Sequence, residues 1–346
     1  MSVSFNPPWF ARGGHVQTAL GLFSRRNLAW THPVEDLVVD SEPGIRILCR
    51  ATYQPGDRAS SPALILLHGL VSGDGAGYMV SMGLHAHAAG YHIIRMNMRG
   101  AGESRRICPR LYHAGLEKDL IAVAREVAKA TPRVGLFGVS LGANHVLLAL
   151  GRSRTALPGA VRAGVALCPP MDLMKSTAAL HRPFNRPYMW HMLSGLKEAY
   201  AEIQKNSNGF YAAGREIGIR SVREFDERIT APRAGFASAD DYYTRSSSGP
   251  FVRDIDRPTL ILAAEDDPII PGDSVRQFPL PDAGHVVLEM HATGGHVGFT
   301  APSRAPGDFW AADRALAFFD EHLLCPLIAL GRPRPGPKWL IAPASP

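Results

Sequence analysis

The sequence GVSLG at residues 138–142 has the form G-x-S-x-G, with Ser140 at its centre. An apolar run at 134–139 precedes it, and a helical pattern at 141–150 follows it. This setting between a strand and a helix predicts a sharp turn that holds the Ser140 hydroxyl above a sheet as a nucleophile. The glycines leave room for so tight a turn. The alternative interpretation is a serine that caps the helix N-terminus.

A nucleophilic serine needs a base to take its proton and an acid to orient that base. In this strand–turn–helix class the acid and then the base follow the serine along the chain. Asp267 comes just after the apolar run at 259–264 and before a Pro-Ile-Ile-Pro turn, so it is the predicted acid, with Asp266 as the alternative. His296 lies in a glycine-flanked loop after the run at 286–291, and it is the predicted base.

Acyl transfer also needs two backbone N–H groups aimed at the oxygen on which negative charge develops. The residue after the nucleophile, Leu141, supplies one of them at the start of a helix. The second is expected from the loop that follows an earlier strand, where His68, Gly69 and Leu70 stand, and Leu70 is the predicted donor. The alternative for His68 and Gly69 is an ordinary turn from strand to loop.

The elements that must position these residues alternate between strands and helices. Strands are predicted at 63–67, 91–98, 134–139, 163–167, 259–264 and 286–291, and helices at 78–89, 117–130, 141–150 and 309–323. Such alternation is typical of an α/β protein with a mostly parallel sheet and helices on both of its faces.

The alternation stops between residues 171 and 250, which show helical and irregular patterns but no strand. We therefore predict an α/β core at 37–170 and 251–325 with an inserted, mainly helical cap at 171–250. Residues 1–36 are predicted to pack on the core, and 326–346 to form a proline-rich tail.

One stretch of the cap has apolar residues at helical spacing. It either lines an acyl pocket or forms a small core of the cap itself; its members are Met189, Met192, Leu193, Leu196 and Tyr200.

The composition is that of a globular protein: 346 residues, 46% hydrophobic and 20% charged. It excludes disorder, a collagen-like repeat and a disulfide scaffold. Lysines and arginines exceed acidic residues by 37 to 31 and are scattered, which argues against nucleic-acid binding and is compatible with weak attraction to an anionic membrane surface.

The four cysteines, Cys49, Cys108, Cys168 and Cys325, include no C-x-x-C pair, which favours reduced thiols in the cytoplasm. Neither a signal peptide nor a run of about 18 apolar residues is visible. The expected location is cytoplasmic.

The spacing of the histidines and glycines does not match the known motifs for binding metals or cofactors. His85 and His87 are two apart on a predicted helix and face different directions. The glycines of 73–77 are not followed by Lys-Ser or Lys-Thr, as a phosphate-binding loop requires. The sequence therefore predicts neither a cofactor nor a metal.

Further motifs resemble the α/β-hydrolase superfamily, and within it the YheT-like family of esterases and acyl hydrolases. They run through most of the chain: GHVQT at 14–18, HGL at 68–70 with Tyr78, NMRG at 97–100, YHAG at 112–115, GVSLGAN at 138–144, FD at 225–226, TAPRAGF at 230–236, DYY at 241–243 with Ser246, DDP at 266–268 and GGH at 294–296. The resemblance implies that Ser140, Asp267 and His296 are nucleophile, acid and base. Membrane-bound members of the family carry an N-terminal anchor, which this sequence lacks, and this disfavours a membrane-lipid substrate.

The leading hypothesis is therefore a serine hydrolase that cleaves a small-molecule ester, with a neutral acyl group favoured by Leu70 and Leu141 beside the nucleophile. The same residues would also serve a thioesterase, an amidase or an acyltransferase. From a different class, a ligand-binding protein with a hydrolase fold and little turnover remains an alternative. Nothing in the sequence indicates the oligomeric state.

Overall fold

The computed structural model describes residues 5–25, 27–301 and 309–324. Eight strands form one sheet in the order β1-β2-β4-β3-β5-β6-β7-β8. β1 and β2 are antiparallel, as are β2 and β4, and all the other neighbours are parallel. The strands are β1 Glu35–Glu42, β2 Ile45–Thr52, β3 Ala63–Leu67, β4 His92–Met96, β5 Val134–Val139, β6 Val161–Leu167, β7 Thr259–Ala264 and β8 Val286–His291.

The described helices range in length from four residues to 21 residues, and the longest lies in the insertion. They are α1 Gly14–Arg25, α2 Gly77–Ala88, α3 Glu117–Ala128, α4 Leu141–Leu150, α5 Leu173–Leu180, α6 Arg186–Asn206, α7 Val222–Phe225, α8 Ala231–Ala234, α9 Ala239–Ser246, α10 Gly272–Arg276 and α11 Trp310–Leu323.

Central strand β3 shows why the sheet is covered on both faces. All five of its residues are buried. Leu64 and Leu66 belong to one apolar cluster, whereas Ile65 and Leu67 belong to another. Because successive side chains of a strand point to opposite faces, the two clusters lie on the two sides of the sheet. The predicted α/β fold, with its mostly parallel sheet and helices on both faces, is confirmed.

Two parts of the fold were not predicted. The β1–β2 hairpin turns at Gly44, whose φ is +76°, and β1 is a largely exposed, polar edge strand. The buried face of α1 consists of Gly14, Gln17, Gly21 and Arg25, so this helix has no apolar stripe facing the core. Elsewhere the predicted strand at 91–98 is shorter, at His92–Met96, and the predicted helix at 117–130 ends at Ala128.

The segment between β6 and β7 consists of α5 to α9 and irregular turns, and its described residues contain no strand. We propose that it is the cap, as the sequence predicts. The predicted tail at 326–346 lies outside the described residues. Among the residues that are described, no helix combines the length and the apolar character that crossing a bilayer requires.

Candidate active site

The turn between β5 and α4 holds Ser140 in a strained conformation. Its φ is 52° and its ψ −118°, and its N–H donates to the Leu167 carbonyl over 2.8 Å. A Cβ at Gly138 would overlap the carbonyl of Gly142, and one at Gly142 would overlap the carbonyls of Leu67 and His68. Residues with side chains therefore cannot replace these glycines without displacing backbone, which is the physical reason for the G-x-S-x-G pattern.

The three side chains that the sequence singled out lie in one hydrogen-bonded chain. His296 Nε2 is 3.0 Å from Ser140 Oγ, and His296 Nδ1 is 2.9 Å from Asp267 Oδ2. With the proton on Nδ1, the imidazole donates to the carboxylate and leaves Nε2 free to accept the serine proton. The side chains of His296 and Asp267 are 10% and 2% exposed, so little water competes for these bonds.

The carboxylate of Asp267 is fixed from its other side. Its Oδ1 accepts the N–H groups of Ile269 and Ile270 at 2.8 and 2.9 Å. The alternative acid, Asp266, does not face the imidazole. Its Oδ1 accepts the N–H groups of Gly294 and Gly295 at 3.0 and 2.9 Å. The geometry therefore favours Asp267 as the partner of the histidine.

The loop after β3 lies directly against the serine. A Cβ at Gly69 would be 3.3 Å from the Cβ of Ser140. Among the described residues, neither the Leu70 N–H nor the Leu141 N–H donates to a protein acceptor. Both predicted donors are therefore available to an oxyanion formed next to Ser140.

A buried histidine and a tyrosine hold this loop in place. His68 Nδ1 donates to the Gly69 carbonyl over 2.7 Å, and its Nε2 accepts the Met98 N–H at 3.1 Å. Burial lowers the pKa of His68 to about 4, so the imidazole is neutral and can make both bonds. The Tyr78 hydroxyl accepts the Gly69 N–H at 2.9 Å.

A second tyrosine and helix α6 fix the far side of the loop. The Tyr112 hydroxyl accepts the Val71 N–H at 2.8 Å, and Val71 has a φ of +49°. A Cβ at Gly195 of α6 would lie 2.8 Å from the Val71 side chain. Sequence reasoning assigned no role to Tyr78 or Tyr112, although both belong to the motifs of the family resemblance.

Helix α1 performs a similar task for the histidine loop. Thr18 Oγ accepts the His296 N–H at 2.8 Å, and Gln17 Oε1 accepts the Thr300 N–H at 2.8 Å. The Arg25 guanidinium donates to the carbonyls of Val297 and Gly298 at 2.6 and 3.1 Å. These residues hold the backbone around the candidate base and make no hydrogen bond to its imidazole. Nothing in the sequence indicated this role beyond the GHVQT motif.

A cavity of about 470 Å³ opens at Ser140. Its apolar lining comes from the core and from the insertion, and includes Leu70, Leu141, Leu173, Leu180, Met192, Leu196, Phe225, Ile229 and Ile269. Charged side chains also line it: Glu42, Arg99, Arg110, Lys118, Asp226 and Arg233. A volume of this size, lined by both apolar and charged side chains, is typical of a site that binds a small molecule.

The apolar residues of α6 divide between the two predicted roles, lining a pocket and forming a core within the insertion. Met192 and Leu196 line the cavity. Tyr200 instead packs edge-on against Tyr211 and Phe225, with ring centroids 5.4 and 6.3 Å apart. The helix therefore forms part of the pocket wall and also part of a core within the insertion.

One further side chain near the serine has a metal-ligand atom. Cys168 lies with Asp267 and His296 so that their ligand atoms are within 4.8 Å of one another. Burial raises the pKa of the Cys168 thiol well above its usual range, and a protonated thiol is a poor metal ligand. Since Nδ1 of His296 already bonds Asp267, this arrangement suits the serine chain better than a metal ion.

The fold and the geometry of this site are those of an α/β hydrolase. Residues 62–299 match the family model described as alpha/beta hydrolase fold, and the chain belongs to that family.

One of the relatives carries the name of the predicted branch. The chain is 29% identical to the Escherichia coli K12 protein named "Putative esterase YheT", over 89% of this chain and 91% of that one. It is 32% identical to the embryogenesis-associated protein EMB8 of Picea glauca over 71% of this chain, and it spans 55% of that relative's length. The predicted YheT-like membership is confirmed, and the esterase and lipase names among the relatives support ester hydrolysis in general.

A solved structure shows the same fold. The Pyrococcus furiosus esterase Pf2001 superposes with a TM-score of 0.55 at 17% identity, over 86% of this chain and 97% of that one.

Proposed function

We propose that this hydrolase cleaves carboxylic esters through an acyl-enzyme on Ser140. The observation that carries the proposal is the hydrogen-bonded chain from Ser140 through His296 to Asp267, which ends at an apolar-lined cavity. Such a chain activates a serine because the histidine takes its proton as the oxygen attacks.

In the proposed reaction, Ser140 Oγ attacks the ester carbonyl carbon and His296 Nε2 takes the hydroxyl proton. The N–H groups of Leu70 and Leu141 donate to the oxyanion. The imidazolium, stabilised by Asp267, then protonates the departing alcohol, which leaves an acyl-serine. Water repeats the sequence and releases the carboxylic acid.

We propose a neutral acyl group because leucine, isoleucine and methionine side chains line the cavity next to Ser140. Several of the charged lining groups are already paired. Arg99 bonds Glu42 and Asp119, and Lys118 bonds Glu42. Arg110 and Arg233 also line the cavity, so the assignment rests on its apolar part, where an anionic acyl chain would lose its hydration.

A fluorophosphonate probe, which labels activated serines, tests the nucleophile. Wild type is expected to label, and Ser140→Ala is not. Ser194→Ala, at an exposed position on α6, is the matched control and should label like wild type. Folded wild-type protein that stays unlabelled, or Ser140→Ala that labels equally, contradicts the proposal.

An ester series then tests the acyl group. Hydrolysis of nitrophenyl esters is expected to depend on Ser140 and to favour neutral acyl chains over acyl chains that end in a carboxylate. An equal or greater kcat/KM for the carboxylate-ended chains contradicts the neutral-acyl assignment alone, since the nucleophile is tested separately.

A further inference from the structure

We propose that one face of the molecule binds the surface of an anionic lipid bilayer. This aromatic–basic face consists of two segments, 9–16 and 181–191. Its exposed aromatic side chains are Trp9 at 80%, Phe10 at 60%, Phe184 at 84% and Trp190 at 58%. Arg12, Arg182 and Arg186 are exposed beside them. Exposed tryptophan and phenylalanine together with arginine are typical of surfaces that enter the interface of a membrane.

The orientation of α1 is the first support. Its buried side is formed by Gly14, Gln17, Gly21 and Arg25, whereas Val16 and Leu22 are exposed. A helix that packs on a core in water normally turns its apolar side inward. Here the inward side is committed to holding the histidine loop, and apolar side chains are left facing outward.

The two segments are joined to each other. The rings of His15 and Tyr188 are stacked, with centroids 5.7 Å apart and planes 6° apart, and His15 Nδ1 is 2.9 Å from the Tyr188 hydroxyl. In sequence, His15 is flanked by Arg12 and Val16, and Tyr188 is flanked by Phe184 and Trp190. The exposed residues therefore belong to neighbouring pieces of surface.

Both segments are also held against the loop that carries the candidate acid. Gly14 packs on the Asp266 carbonyl with no room for a side chain. The Asn185 side chain donates to the Pro268 carbonyl over 2.6 Å. The aromatic–basic face thus has a fixed backbone, and its exposed side chains are presented by an ordered scaffold.

The distribution of charge selects an anionic partner. No acidic residue occurs before Glu35, and none occurs between Asp172 and Glu198. Within the second stretch the charged residues are Lys175, Arg182, Arg186 and Lys197. Cationic side chains of this kind are attracted to anionic lipid headgroups, while the neighbouring aromatic rings enter the interface.

The same segment connects this face to the cavity. Leu180 and Met192 line the cavity, while Phe184 and Trp190 between them in sequence point to solvent. A bilayer bound here would lie against a segment whose two flanking residues form part of the cavity wall, and an ester carried in that bilayer becomes the natural substrate. This last step rests on the proposed function and revises the expectation against a membrane-lipid substrate; binding to the bilayer does not rest on it.

Flotation of the full chain with lipid vesicles tests the proposal. We expect binding to vesicles of equimolar phosphatidylglycerol and phosphatidylcholine to be about tenfold or more tighter than to pure phosphatidylcholine, and to weaken with added salt. The double variants Phe184→Ser with Trp190→Ser, and Arg182→Glu with Arg186→Glu, should each weaken binding to the mixed vesicles about tenfold or more.

Two exposed residues outside this face provide matched controls. Ile217→Ser removes an apolar side chain that is 72% exposed, and Arg162→Glu reverses an exposed charge on β6. Both should bind vesicles like wild type. All variants should keep the thermal unfolding midpoint and the hydrolysis of a short water-soluble ester, which separates failure of vesicle binding from failure of the proposed function.

Hydrogen exchange on the wild type gives an answer that does not depend on any variant. Mixed vesicles should protect residues 9–16 and 181–191 against exchange. Absence of flotation, equal binding to both vesicle types, protection elsewhere, or double variants that bind like wild type would each overturn the proposal. So would a dimer of this chain, detected by sedimentation, that buries the same face and leaves vesicles unbound.

Discussion

The Tyr243 hydroxyl donates a hydrogen bond of 2.7 Å to Asp226 Oδ2, and both residues line the cavity. Asp226 begins a π-helical turn that runs to Thr230. Burial raises the pKa of its carboxyl from 3.8 to about 6, although the hydrogen bonds from Tyr243 and Thr230 act in the other direction. The carboxyl group is therefore costly to ionise where it stands.

This burial predicts how Asp226→Asn changes stability with pH. The folded-state pKa lies above the unfolded value, so Asp226 contributes stability below about pH 4, and this is lost as pH rises through about 6. The asparagine variant lacks that loss. Relative to wild type, we expect its free energy of unfolding to rise between pH 4 and pH 8, on the order of 3 kcal/mol. Urea unfolding across this range measures the difference; a constant difference would contradict the prediction.

Neighbouring acids provide a test of the role of Asp267. In Asp267→Asn an amide can face Nδ1 and favour the wrong tautomer of His296, so kcat should fall about 10³- to 10⁴-fold. Asp266→Asn keeps an oxygen for the N–H groups of Gly294 and Gly295, and its kcat should stay within about tenfold of wild type. Ester hydrolysis by the two variants measures this, and equal losses would count against Asp267 as the acid.

Tyr112→Phe tests whether the loop after β3 must be held rigidly. The variant leaves the Val71 N–H without its partner next to the proposed Leu70 donor. We expect kcat to fall about tenfold with little change in KM, because an oxyanion contact acts mainly in the transition state. Tyr91→Phe is the control, since it removes a bond to Asp320 on the other side of the sheet. A loss in Tyr112→Phe that appears only in stability would show that the tyrosine is purely structural.

Gly142→Ala tests the packing of the turn. The added methyl group would overlap the carbonyls of Leu67 and His68, so we expect a loss of about 3 kcal/mol or more in unfolding free energy. Gly159→Ala is the matched control, because the space around its Cβ position is open. Its unfolding free energy should change by less than about 1 kcal/mol. Similar midpoints of chemical unfolding for the two variants would refute the packing argument.

Continuous burial made several strands of the fold predictable. β3, β5 and β7 have the predicted bounds because a strand covered on both faces is an unbroken apolar run. β1 could not be predicted, since an edge strand that is largely exposed carries no such run. Helix α1 could not be predicted either, because its buried face consists of glycine, glutamine and arginine and so shows no apolar pattern in the sequence.

Some residues of the candidate site could likewise be predicted from the sequence, and others could not. Ser140, Asp267 and His296 could be selected because each follows a strand end in a fixed order along the chain. Tyr78 and Tyr112 could not, because the partner of a buried hydroxyl depends on which loops meet in three dimensions. The choice between Asp266 and Asp267 was open for a related reason: which carboxylate faces the imidazole depends on the path of the histidine loop.

The hydrogen bond between Thr18 and the His296 backbone joins residues 278 positions apart. A ribosome makes α1 long before it makes the histidine loop. The candidate base His296 therefore gains this support only after residue 296 has been made, and a nascent chain that ends between Ser140 and His296 offers the serine no such partner. In such a protein, labelling of Ser140 would report that synthesis had reached the end of the domain.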